Sequence, residues 1–260
     1  MARYGVGQTV RRKEDDRFMT GRGSYVDDLV LSQQLYAVLV RSPHAHAELG
    51  KVDGTAAAIA PGVRAVYTGD DIAAAGLGHV PAMPSLYDHD GCRRTEILGE
   101  GYVIPPRPLL AQDRVRHVGD PLALVVAETR DAARDAADLV AVDFTPLPAV
   151  TATGAAQNAP AIWESHPDNL AFEWHSGDME AVDRTFAVAA RTVAVDLVNN
   201  RINCNTMEPR AAIGSYDSAS DIYTLHVTSQ DPHNLQALLG QEVFDLPPEK
   251  FRVISPDVGG

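Results

Sequence analysis

The chain's 260 residues, 45% hydrophobic and 22% charged, hold enough apolar material for one large core or two ordinary ones. With 22 Lys and Arg against 35 Asp and Glu, its formal net charge of -13 repels a phosphate backbone, so no nucleic-acid partner is expected. Cys92 and Cys204 stand in no ligand-spaced cluster, which argues against a disulfide framework or a thiolate zinc site and fits a cytoplasmic location. The charges of residues 1–16 precede no apolar stretch, and no later segment reaches ~18 uninterrupted apolar residues. Neither a secretory leader nor a membrane span is expected.

The first strand is predicted at residues 34–40, a run rich in Leu, Val and Tyr between Ser32 and the Ser42-Pro43 break. Asp53 offers an N-cap to a short helix over 54–60, which Pro61-Gly62 stops before a second strand at 63–67. From residue 76 to 119 the chain lacks periodicity and is interrupted by Pro81, Pro84, Pro105, Pro106 and Pro108. A stretch of that length is expected to be ordered only against another surface. Residues 122–127 read as a buried strand. Thr129 then caps a helix over 130–140 that sets Ala133, Ala136, Ala137 and Val140 on one face, and 142–144 close another strand.

Residues 146–166, rich in Ala, Thr and Pro, have the composition of an interdomain connection. Beyond them a helix is predicted over 178–186, and a strand over 190–197 from its alternation of Val with polar residues. A strand over 222–227, a helix over 232–244 and a strand over 251–254 complete the series. No internal repeat is apparent.

Chemistry-bearing patterns concentrate near the end. A strand stopping at Ser229-Gln230 turns into a helix beginning Asp231-Pro232-His233, with proline in the first turn, where its missing N–H is no loss. Such a junction points backbone N–H groups and the Gln230 amide into a crevice, although a polar residue at a strand end also serves as a simple turn or cap. Gly259-Gly260 after the last strand permits close backbone approach to a bulky ligand, or forms an ordinary loop. His44 and His46 alternate as a metal-chelating pair would, yet no third ligand lies nearby and a surface loop serves equally. Met207-Glu208-Pro209-Arg210 sets opposite charges around a proline, either orienting a cleft residue or forming a local ion pair. A nucleophile elbow, a phosphate loop and a dinucleotide fingerprint are all missing.

Seven ordered motifs resemble the xanthine dehydrogenase family, and most closely the large chain of aerobic carbon monoxide dehydrogenases. They are Gly21-Arg22-Gly23-Ser24-Tyr25-Val26-Asp27-Asp28, Arg41-Ser42-Pro43-His44-Ala45-His46-Ala47, Val118-Gly119-Asp120-Pro121-Leu122-Ala123 and Val142-Asp143-Phe144-Thr145-Pro146-Leu147-Pro148. Met207-Glu208-Pro209-Arg210-Ala211-Ala212, Thr228-Ser229-Gln230-Asp231-Pro232-His233 and Pro256-Asp257-Val258-Gly259-Gly260 continue the order, so the resemblance runs over residues 10–260.

The resemblance implies an α/β (α+β) fold: an α/β hammerhead domain over 17–145, a linker over 146–170 and the incomplete opening part of a molybdopterin-binding domain over 171–260. It implies a molybdenum hydroxylase, which inserts oxygen from water into a carbon of a small-molecule substrate. The expected cofactor is molybdopterin, as the cytosine dinucleotide, with molybdenum held by the pterin dithiolene and by no protein ligand. Gln230 matches the glutamine whose amide bonds a molybdenum-bound oxygen, and Gly259 and Gly260 match the start of the glycine-rich loop at the cofactor. FAD and iron-sulfur clusters are expected on partner subunits.

The family pattern continues after Gly259-Gly260 with a further glycine and a phenylalanine, and much later with other cofactor loops and a glutamate base. This portion is therefore expected to be either a naturally split subunit, sharing the cofactor with a companion chain that carries the rest of the domain in a hetero-oligomer, or a fragment of a longer chain, and to be inactive alone. The alternative is a non-catalytic assembly or binding module of such a complex.

Overall fold

The computed structural model describes residues 11–81, 103–171, 177–200 and 202–259. Pro84, Cys92 and Gly260 lie outside them. The chain divides into two compact units, Leu35–Asn205, and Met1–Gln34 together with Thr206–Gly260. One helical turn, α1 (Asp15–Phe18), precedes the first of these units.

The unit Leu35–Asn205 contains β1 (Tyr36–Arg41), β2 (Ala47–Asp53), α2 (Thr55–Ala58), β3 (Val63–Thr68), α3 (Gly69–Ala74), β4 (His79–Pro81) and β5 (Pro106–Pro108). After these come β6 (Arg114–Val115), β7 (Pro121–Ala127), α4 (Arg130–Ala137), β8 (Ala141–Pro146) and α5 (Met179–Ala187). Two antiparallel three-stranded sheets, β1-β7-β3 and β6-β2-β8, form its body, and β4 pairs with β5. The central strand β7 is a near-continuous apolar run, and its Leu122, Ala123, Val125 and Ala127 are fully buried. Leu122 packs with Ala47, Ala111 and Val115 of the second sheet's side, while Val40 touches both clusters, so one core serves both sheets.

Local chemistry explains the elements. The Thr129 hydroxyl starts α4 by accepting a hydrogen bond from the Ala132 N–H at 3.1 Å. Buried Ala133 and Ala136 have side chains small enough to let that helix lie close to the sheet. Gly69 opens α3 against the Ala111 carbonyl oxygen, where any Cβ would collide. Residues 150–171 are ordered against the same unit: Arg116 stacks 3.6 Å from the Trp163 ring centre. Asn169 donates to the carbonyl oxygens of Ala156, Ala159 and Pro160.

Three sequence expectations change here. The strand expected at 190–197 does not form, and Val193, Val195 and Leu197 are 86%, 69% and 86% exposed. Alternation prepares a face, but a strand also needs a ladder partner, and none of the described strands pairs with this segment. The helix over 130–140 stops at Ala137, with the Val140 N–H closing a turn onto the Ala137 carbonyl. Residues 76–119 are not wholly irregular, since β4, β5 and β6 lie among the described ones.

The other unit holds β9 (Ala212–Asp217), β10 (Ile222–Val227), α6 (Pro232–Leu238) and β11 (Phe251–Ile254) in sheet order β11-β10-β9. β10 runs antiparallel to β9 and parallel to β11. Parallel neighbours need a crossover, and α6 supplies it. Rather than continuing to 244 as expected, the α-helix widens into a π-turn at Leu239–Phe244 and ends at Asp245, whose φ of 51° is left-handed. Gly240 sits in that turn because a Cβ would lie 2.8 Å from the Leu246 carbonyl oxygen. Tyr223, Phe244 and Phe251 form an aromatic core with ring centroids 5.1 to 5.5 Å apart. The Gln236 amide donates to the Phe251 carbonyl at 2.6 Å, tying α6 to β11.

Residues 17–28 latch onto the end of β11. The Asp257 carboxylate accepts from both terminal nitrogens of Arg17 and, at 2.8 Å, from the Ser24 N–H. The Asp257 N–H in turn donates to the Ser24 carbonyl at 3.0 Å. The Arg17 bonds first, and then the Ser24 bond, hold the Asp257 carboxyl below its ordinary range.

A depressed carboxyl contributes stability that is fully present above its unfolded pKa of about 3.9 and is lost as pH falls through the lower folded value. Asp257→Asn should therefore lower the thermal midpoint at neutral pH and flatten its acid limb below about pH 4, read by circular dichroism. An acid limb identical to the parent's would remove the pair from the stability of this unit. A second expectation concerns Val188, Val193, Leu197, Val198 and Ile202, each at least 84% exposed. A polarity-sensitive dye should brighten on the chain, and Val193→Ser with Leu197→Ser should reduce that signal; no brightening would mean that the segment is covered in solution.

Candidate functional site

The carboxyl ends of β10 and β11 make the candidate site. Their parallel register pairs His226 with Ile254, so both strands leave the sheet at the same edge, one into residues 228–231 and the other into 255–259. In open parallel sheets that edge is where ligands bind.

The turn after β10 is held on both sides of Gln230. The Thr228 N–H donates to the Ala211 carbonyl at 3.1 Å. The Asp231 N–H donates to Ser229 Oγ at 3.1 Å, and the Asp231 carboxylate caps α6 by accepting from the Asn234 N–H at 3.0 Å. Pro232 occupies the first helical position, as its fixed φ favours. Gln230 itself is exposed, and its amide meets no partner among the described residues. Its flanks are fixed while its side chain stays uncommitted.

The segment after β11 passes Gly259, where a Cβ would lie 2.6 Å from Glu208 Cβ. The close approach that calls for glycine is thus made by Glu208. That carboxylate accepts from the Thr228 hydroxyl at 3.0 Å and from the Gly259 N–H at 2.5 Å, so it spans both strand ends. Ser255 Oγ, on the same segment, is buried with no hydrogen-bond partner among the described residues. The sequence reading offered Glu208 either a cleft-orienting role or an ion pair with Arg210. Among the described residues the two form no ion pair. The signal present in sequence was the Glu-Pro step, since a residue before proline is confined to extended backbone.

Other candidates fall elsewhere. His46 is a core residue, 5% exposed, with Nδ1 bonded to the Pro148 carbonyl at 2.8 Å, while His44 packs on the Phe144 ring. Among the described residues no group of three His, Cys, Asp or Glu is placed to hold a metal ion. A cavity of about 350 Å³ in the unit Leu35–Asn205 is lined by Val103, Pro105, Ile162, Trp163, His166 and Leu170 among others, and holds none of the predicted site residues. No helix among the described residues is long and apolar enough to cross a membrane.

Comparison with known families matches residues 20–148 to the a/b hammerhead domain of aldehyde oxidase and xanthine dehydrogenase, and residues 162–260 to the molybdopterin cofactor-binding domain. The chain belongs to the xanthine dehydrogenase family. Within that family it is 36% identical to the nicotine 6-hydroxylase large subunit of Paenarthrobacter nicotinovorans, an alignment covering 100% of this chain and 30% of that protein. It is 32% identical to the carbon monoxide dehydrogenase large chain of Afipia carboxidovorans, over 98% of this chain and 31% of that one. Among solved structures, quinoline 2-oxidoreductase from Pseudomonas putida 86 superposes with a TM-score of 0.79 at 32% identity, over 98% of this chain and 30% of its own. The chain therefore spans about 30% of the length of these large subunits. Its fold is the family's hammerhead domain followed by the opening part of the molybdopterin-binding domain.

The donor set at the strand ends suits a polar, oxygen-rich group of this kind. An uncommitted amide at Gln230 and a buried unpaired hydroxyl at Ser255 have hydrogen bonds to offer, while at Gly259 the N–H and the side-chain space are taken by Glu208. Gly260 is outside the described residues. Gly259→Ala should push Glu208 aside at a cost of about 1–3 kcal/mol, the range for forcing a methyl into packed space. Displaced NMR resonances of Thr228 and Glu208 would report it; an unperturbed spectrum would mean that the close contact is absent in solution.

Proposed function

We propose that this chain supplies one wall of the molybdopterin site of a molybdenum hydroxylase, with the rest of the cofactor domain furnished by a companion portion. The reading is carried by the uncommitted Gln230 amide, which follows β10 at the edge where β10 and β11 both end. Gln230 and Gly259, with Gly260 following, would hold the cofactor, in its cytosine dinucleotide form. When bound, molybdopterin with its molybdenum supplies the two-electron oxidation that adds water-derived oxygen to a substrate carbon.

The chain's own part is positioning. Ser229, Asp231 and Thr228 fix the backbone on both sides of Gln230, so its side-chain amide starts from a fixed peptide and is free to donate toward charge that builds at the cofactor. Gly259 lets the chain after β11 lie against Glu208, which fixes where its peptide stands at the site. Iron-sulfur and FAD subunits would take the electrons onward, the assembly being cytoplasmic and this portion inactive without its companion. The substrate is a small molecule with an electrophilic carbon. The names of the relatives make N-heterocycles and carbon monoxide the first to screen, with aldehydes and purines after them.

Co-expression with the companion portion and partner subunits tests the reading. The complex should hold stoichiometric molybdenum and pterin. Gln230→Ala should lower kcat by about 10²-fold, the usual loss for one hydrogen-bond donor to the transition state, and lower turnover more than pterin content. Unchanged turnover would take Gln230 out of the mechanism. A properly matured complex without molybdenum would favour a non-catalytic assembly module instead.

A further inference from the structure

Glu208 has no part in the function just proposed, yet its carboxylate touches both strand-end loops. We propose that Glu208 is a positioning residue, a neutral-tolerant clasp that sets the span between the Gln230 turn and the Gly259 peptide, and not a carrier of protons. The inference deepens the cofactor reading and rests on it for the consequence of that span.

Glu208 is itself held firmly. The Thr206 hydroxyl donates to its carbonyl at 2.6 Å, and Pro209 confines its backbone to extended conformations. From that stiff peptide, one carboxylate oxygen accepts from the Thr228 hydroxyl, two residues before Gln230, and the other accepts from the Gly259 N–H. The two bonds run to the ends of neighbouring parallel strands, so they act across the opening between the loops. The 2.6 Å between Glu208 Cβ and the space a Gly259 Cβ would fill leaves no slack on that side. Both contacts are satisfied by hydrogen-bond geometry alone. A glutamine could reproduce them: its carbonyl oxygen accepts from the Gly259 N–H, and its NH2 donates to the Thr228 hydroxyl, which accepts as readily as it donates.

The test is amide hydrogen exchange of Gly259, followed by NMR on the 260-residue chain, with cofactor retention measured in the assembled complex. Glu208→Ala should speed exchange on the order of tenfold, the loss of one charge-assisted bond, and lower the pterin retained. Glu208→Gln should stay within about twofold of the parent in exchange and restore the pterin, because both contacts survive. Thr228→Val, which leaves the Gly259 bond in place, should speed Gly259 exchange about threefold by freeing the carboxylate that accepts it. The proposal is overturned if Glu208→Ala leaves exchange unchanged, or if Glu208→Gln matches Glu208→Ala in either measurement. A parent complex devoid of pterin would sink the cofactor reading, while the exchange comparison would still decide the clasp.

Discussion

Parallel pairing of β10 with β11 is the constraint on which the candidate site depends. A parallel neighbour cannot be reached by a tight turn, so the chain must cross over the sheet through α6 and return before β11 can begin. That route brings the carboxyl ends of both strands to one edge. The aromatic core of Tyr223, Phe244 and Phe251 and the bond from Gln236 to the Phe251 carbonyl keep helix and strands in place beneath it. Residues that are 29 apart in the chain, Gln230 and Gly259, thereby leave adjacent strands.

Charge-assisted hydrogen bonds then finish what the ladder begins. Glu208 reaches Thr228 and Gly259, and Asp257 reaches Arg17 and Ser24, so each carboxylate joins segments far apart in sequence. Both anchor the stretch after β11, beyond the last ladder pair, His226 with Ile254. Gly259 follows from the same crowding, since Glu208 occupies the space a side chain would need. Gln230, by contrast, is exposed, and its amide meets no partner among the described residues.

The unit Leu35–Asn205 is organised differently. Its two sheets share a core built on Leu122 and Val40, and small residues such as Ala47, Ala57 and Ala136 set the close spacing of sheets and helices. His46, whose sequence position suggested chelation, is absorbed into that packing with its Nδ1 on the Pro148 carbonyl. The apolar side chains of 188–202 show the reverse case. Their alternation is that of a strand, but backbone groups pair only when another strand is beside them.

Local patterning by itself determined most of the regular elements: the buried run of β7, the Thr129 cap of α4, the Pro232 start of α6 and the strands at β10 and β11. Each depends on periodicity or capping chemistry written within a few neighbouring residues. It also carried the ordered motifs by which the family was recognised, and the junction at Gln230. Tertiary structure decided the rest. β9 went unread because Ala212–Asp217 is mostly exposed and has no strong apolar alternation of its own; it is a strand because β10 pairs with it. Residues 190–197 had the alternation and lacked the partner. The role of Glu208 was hidden for the same reason, since a carboxylate's function depends on which donors the fold brings to it, and Thr228 and Gly259 are distant until β10 and β11 lie side by side.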